Sequence, residues 1–122
     1  MARPLRIEYN HAFYHVISRG NERKAIFRNP SDYELFFKTL KDACDYFGVF
    51  LHSFCLMPNH IHLLVETPEA NLSLFMKRLL GVYTIRFNRK HERSGHLFQG
   101  RYKALLVDRD AHIRGQFLKL DK

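Results

Sequence analysis

The apolar residues of this chain change period along its length, from two to 3.6 and back, and that alternation limits the fold more than any other feature. From His11 to Arg19 the side chains alternate: Phe13, His15 and Ile17 on one face, Tyr14 and Val16 on the other, as in a strand. A polar loop punctuated by Gly20 and Pro30 follows. Tyr33, Phe36, Phe37, Leu40, Ala43, Cys44 and Phe47 then recur at helical spacing, predicting a helix that opens at Pro30 or Ser31 and stops at Gly48. Asn29 before Pro30 is one way to start it, and a Ser31–Glu34 capping box is another. Val49 to Met57 reads as a strand, apolar on both faces and therefore expected in the middle of a sheet. Pro58-Asn59 breaks the chain tightly, and His60 to Glu66 is a third strand closed by Thr67-Pro68.

A second helix is expected from about Asn71 to Arg93, with Leu72, Phe75, Met76, Leu79, Val82, Tyr83 and Phe87 as its buried stripe. Ser94-Gly95 ends it, His96 to Asp108 contains a fourth strand, and a last short helix follows from Arg109. The order strand, helix, strand, strand, helix, strand predicts an α+β, ferredoxin-like (βαββαβ) fold, an antiparallel sheet with both helices on one face. At 122 residues the chain is expected to form a single domain.

Charge narrows the function. Lysine and arginine number 20 against 12 acidic residues. Between Lys77 and Lys103 there are eight cations, Lys77, Arg78, Arg86, Arg89, Lys90, Arg93, Arg101 and Lys103, against Glu92 alone. Positive charge interleaved with Tyr83, Phe87, Phe98 and Tyr102 fits a polyanion, although a solubilising face has the same composition. Arg86, Arg89, Lys90 and Arg93 repeat at helical spacing as one basic face and are candidate DNA contacts. No stretch approaches the roughly 18 apolar residues needed to span a bilayer, and no apolar run follows the N-terminal arginines. Cys44 and Cys55 form no Cys-x-x-Cys pair, so a reduced, cytoplasmic setting is expected.

His60 and His62 lie two apart on a strand, so both imidazoles project from one face while Ile61, Leu63 and Val65 point the other way. Two neutral imidazoles so placed can hold one divalent cation from one side and leave the remaining positions to phosphate oxygens. A His-x-His string alone is a weak signal, because two half-buried histidines give the same pattern. Its surroundings are more specific. MPNHIHLLVETP resembles the His-apolar-His motif of the single-tyrosine transposases. HVISRGNERKAIFRNPSDYELF (residues 15–36) and LFQGRYKALLVDRD (residues 97–110) resemble two further segments of the REP-associated tyrosine transposase branch of that family. Three separated matches in order cover most of the chain.

The resemblance implies a ferredoxin-like fold and transesterification at a single-stranded DNA phosphate beside a hairpin. It implies Mg²⁺ or Mn²⁺ on His60 and His62, and a tyrosine from the C-terminal helix as nucleophile. Here the sequence departs from the family. The segment VDRDAHIRGQFLKLDK places the nucleophile position near Lys119, and no tyrosine occurs after Tyr102. Strand cleavage is therefore expected to be impaired, through decay or shortening of the chain, unless Tyr102 or Tyr83 has taken over. A short terminal helix with Gly115 inside is expected to be loosely held.

Arg19, Asn21 and Arg23 in the first loop are candidate contacts to DNA backbone or bases, or else solvated loop residues. Arg101 and Lys103 alternate with Tyr102, so both are expected on one face as phosphate contacts. Glu66 shares the parity of the histidines but lies at the far end of its strand. The rival reading is a catalytically inactive hairpin DNA- or RNA-binding module, although the aromatic-rich string of RNA-recognition domains is absent. The sequence leaves open whether the protein is a monomer or a homodimer.

Overall fold

The computed structural model describes residues 8–107. Strand β1 runs Ala12–Arg19, helix α1 Pro30–Phe47, β2 Phe50–Met57, β3 His60–Thr67, α2 Leu72–Lys90 and β4 Lys103–Val107. The expected helix from Arg109 and the position of Lys119 lie outside the described residues. The strands form one sheet in the order β2-β3-β1-β4, every neighbouring pair antiparallel. That order and the two helices are the ferredoxin-like arrangement expected from the periodicity.

The helices share one face because the sheet's apolar residues do. Tyr14 and Val16 of β1 and Ile61, Leu63 and Val65 of β3 form a single buried cluster with Phe36, Leu40 and Ala43 of α1 and Phe75, Met76, Leu79, Tyr83 and Phe87 of α2. The alternate residues, including His60 and His62, necessarily face the other way. Helix α1 starts by the Asn29–Pro30 route and not by the Ser31–Glu34 box. The Asn29 side chain accepts from the Asp32 N–H, while the Asp32 carboxylate reaches back to the Arg28 N–H at 2.8 Å. The helix ends at Gly48, whose φ of 67° is the left-handed conformation that glycine adopts without strain.

One expectation is corrected. Strand β2 is an edge strand, not a central one; β3 and β1 occupy the middle. The apolar look of its two faces comes from a bulge. Leu51 pairs with Val65 and Ser53 with Leu64, leaving His52 as an extra residue that reverses the alternation. Beyond the bulge Phe54 and Leu56 turn toward α1, with Phe54 5.5 Å from the Phe37 ring, and Ser53, Cys55 and Met57 turn to the histidine face.

Candidate metal and nucleic-acid site

Strand register assembles the site. On the face away from the helices, Met57, His60 and Arg19 lie side by side across β2, β3 and β1. The next row is Cys55, His62, Ile17 and Lys103, which continues onto β4. Directly opposed side chains in such pairs sit roughly 5 Å apart at Cβ. The His60 and His62 rings are 5.1 Å apart, edge to face. They open into a cavity of about 410 Å³ lined by Ile17, Arg19, Arg23, Asn59, His60, His62 and Lys103. A second cavity of about 260 Å³, lined by Ile17, Ser18, Arg19, Gln99, Gly100, Arg101 and Lys103, shares three of those residues and extends the groove along β4. Among the described residues the lining contains cations and no carboxylate.

Arg23 reaches the cavity because its loop is tied at several points. Gly20 donates its N–H to Asn59 O at 2.8 Å, Ile26 and Phe27 donate to Pro58 O, and Asn21 donates to Leu97 O. The loop passes so close to itself that a Cβ on Gly20 would lie 2.2 Å from the Lys24 carbonyl oxygen. Glu22 and Arg23 both take positive φ, 55° and 59°, a conformation that costs non-glycine residues energy and is held by these ties.

Asn59 fixes the tautomer of His60. Its amide Nδ2 donates to the Arg23 carbonyl at 3.2 Å, so its Oδ1 faces His60 Nδ1 at 2.9 Å. An amide oxygen only accepts, so His60 Nδ1 carries the proton and the lone pair of the neutral ring lies on Nε2. This is the kind of supporting contact that presets a metal-binding histidine. His62 is 2% exposed, and its Nδ1 lies 3.1 Å from Nε2 of His15, which is also buried. Sequence reasoning misses both partners. Asn59 reads as a turn residue, and His15 shares the parity of the site face, but the register that sets it diagonal to His62 is not visible in one strand.

The two imidazoles fit a divalent cation in part. They supply two ligands from one side, and among the described residues no group of three His, Cys, Asp or Glu side chains is placed to hold a metal ion. A cation here would complete its shell with water or phosphate oxygens. Glu66 takes no part: it bonds His52 Nε2 at 3.0 Å, four positions along β3 from His62.

The remaining candidates fall into two groups. Arg19, Arg23 and Lys103 line the histidine cavity, and Arg101 lines its extension. Asn21 is exposed beside it but lines neither cavity. The basic residues of α2 are elsewhere, because α2 packs on the opposite face of the sheet. Arg86 donates to Thr39 Oγ1 of α1 at 2.9 Å, and Lys90 pairs with Asp32 at 2.6 Å and also contacts Ser31. Arg93 bonds Asn88 and the His96 carbonyl, and Arg89 is exposed. Asp32 itself is fully buried. Burial alone would raise its pKa, but hydrogen bonds from Lys90, the Arg28 N–H and His91 outweigh that and hold the carboxyl below its ordinary value.

Neither alternative tyrosine stands at the histidines. Tyr83 is fully buried, its hydroxyl donates to Ile26 O at 2.6 Å, and burial drives its pKa far up. Tyr102 precedes β4 with the parity of Ala104 and packs, like Ala104, against the helix-side core. Cys44 and Cys55 are free thiols, and burial pushes Cys44 up to about 11. No helix among the described residues is long and apolar enough to cross a membrane.

No curated protein sequence matches the chain. The structure resembles that of a REP-associated tyrosine transposase bound to a REP hairpin, with a TM-score of 0.73 at 12% identity, over 94% of this chain and 67% of that one. It also resembles a candidate transposase from Deinococcus radiodurans R1, with a TM-score of 0.67 at 22% identity, over 94% of this chain and 98% of that one. Both likenesses establish the fold. The family described as "Transposase IS200 like" matches residues 8–114, nearly the whole chain, and the protein therefore belongs to the IS200-like transposases.

Proposed function

We propose that this domain binds single-stranded DNA beside a hairpin and holds a divalent cation, Mg²⁺ or Mn²⁺, on His60 and His62. The observation that carries this reading is the placement of both imidazoles on one face of the sheet, in a cavity shared with Arg19, Arg23 and Lys103. A phosphodiester lying along the groove meets cations on either side of the histidines, and neutralising its charge there favours binding and lowers the cost of charge development at phosphorus. The hairpin bound to the REP-associated relative supports a similar ligand for this chain. When bound, the cation supplies Lewis-acid polarisation of the phosphate. The protein's own part is to fix His60 through Asn59 and to orient the strand through Arg19, Arg23, Arg101 and Lys103.

Cleavage by the family's route needs a phenol as nucleophile, and the matching position falls near Lys119. Lysine cannot form a phosphotyrosine, so we read the domain as competent to bind and impaired in strand cleavage. The test is incubation of the protein with an end-labelled single-stranded hairpin and Mn²⁺, resolved on native and denaturing gels. A retarded band without a covalent adduct supports the reading. It should be weakened by His60→Ala, His62→Ala or excess chelator if the cation helps hold the phosphate. A denaturation-resistant adduct would sink the claim of impaired cleavage, and absence of any retarded band would sink the binding claim.

A further inference from the structure

We infer that His15 is a positioning residue that sets which nitrogen of His62 faces the cation. The inference rests on the metal-binding reading of His60 and His62. His15 lies on β1, two residues along from Ile17, the residue opposite His62, and is therefore the diagonal neighbour of His62 on the same face. The two rings lie nearly coplanar and edge to edge, 5.3 Å between centroids with an interplanar angle of 20°, and His15 Nε2 lies 3.1 Å from His62 Nδ1. His15 is 4% exposed and lines neither cavity, so its contact with the site is through His62.

One proton lies between these two nitrogens, and its owner decides the chemistry. If His15 Nε2 carries it, His62 Nδ1 accepts and the neutral His62 ring must hold its own proton on Nε2, leaving no lone pair for a cation. If His62 Nδ1 carries it, His15 Nε2 accepts and the His62 lone pair is on Nε2. The cation-competent arrangement therefore requires His15 as the acceptor. His60 is fixed in the same sense by Asn59, so each histidine of the pair has its own orienting partner, one from the β2–β3 turn and one from β1. Free imidazoles favour the opposite tautomer, so without His15 the His62 ring would relax to the form that binds cations poorly.

The experiment reads the ring nitrogens directly. Long-range ¹H–¹⁵N spectra of the metal-free protein should show His62 protonated on Nδ1. His15→Phe should move that proton to Nε2 and weaken Mn²⁺ binding, measured by titration calorimetry, by on the order of tenfold to a hundredfold. His15→Gln, whose side-chain oxygen can accept from Nδ1, should recover most of that loss. A His62 proton on Nε2 in the unsubstituted protein overturns the inference without any variant having to fold. So does a folded His15→Phe protein with unchanged Mn²⁺ affinity, provided His60→Ala and His62→Ala abolish binding. If those two alanine variants bind Mn²⁺ as well as the parent, the metal-binding reading itself has failed.

Discussion

Two clusters of positive charge stand on opposite sides of one sheet, and their side chains are engaged differently. On the helix side, Arg86 and Lys90 of α2 are tied to Thr39 and Asp32 of α1, clamping the two helices together. On the other side, Arg19, Arg23, Arg101 and Lys103 surround a groove with no carboxylate among the described residues to neutralise them. Composition counts both clusters alike, and helical spacing makes the first look the better DNA-binding face. The difference lies in who the partner is. A cation committed to an internal acceptor adds stability, whereas a cation lining a groove without acids keeps its charge available to an anion.

The sharpest way to break this contrast is to remove the acceptor on the helix side. Asp32 is fully buried, with Lys90, His91 and the Arg28 N–H all donating to it. Asp32→Ala should lower unfolding stability in urea by about 3 kcal/mol, the low end for a broken buried pair because Lys90 can turn to solvent. Hairpin affinity of the folded fraction should stay within about twofold. The pH dependence has a definite sign. The carboxyl is held below its ordinary 3.8, so its contribution is complete above that pH and is lost as pH falls through the lower folded value. Asp32→Asn should therefore flatten the acid side of the stability curve. A loss of hairpin binding in proportion to stability would merge the two clusters into one function.

Next in size is the groove. Arg23→Ala and Lys103→Ala should each weaken hairpin binding about tenfold at low salt. Each should also reduce the slope of log affinity against log salt by about 0.7, the share of one neutralised phosphate on a single strand. Their unfolding curves should barely move. Arg86→Ala is the matched control and a smaller effect: about 1 kcal/mol of stability from removal of its hydrogen bond to Thr39, with the salt slope unchanged. Salt titrations by fluorescence anisotropy separate these outcomes. A slope that falls with Arg86→Ala and not with Lys103→Ala would reverse the assignment of the two faces.

How much of this is legible in the sequence follows from the range of each interaction. Period-two and period-3.6 patterns are local, so the element order, the shared face of His60 and His62, and the burial of Tyr83 can all be read from the residues. The Asn29–Pro30 start of α1 is legible for the same reason, as one of two local options. What stays hidden is information carried between elements. The bulge at His52 is an irregularity of pairing with β3, and because it reverses the alternation the sequence of β2 imitates a central strand. The acceptors of Arg86 and Lys90 lie 47 and 58 residues away in sequence, so their basic stripe looks unengaged. His15 reads as one histidine among several because its meaning depends on a diagonal contact across the β1–β3 register. Asn59 is the nearest miss, adjacent to the site and disguised as turn chemistry.

The smallest expected effect tests the boundary between the two faces at its thinnest point. Arg101, Tyr102 and Lys103 are consecutive, yet the two cations line the groove while Tyr102 packs against the helix-side core. A nucleophile must reach a phosphorus bound at His60 and His62, and Tyr102 packs on the other side of the sheet from them. Tyr102→Phe should therefore leave hairpin affinity within about twofold and leave any residual strand cleavage unchanged. Arg101→Ala, one residue away, should shift both the affinity and the salt slope. If Tyr102→Phe instead removed a covalent adduct, the β4 edge would have to open so that this side chain crosses the sheet, and the separation of the two faces would then be a property of the DNA-free state alone.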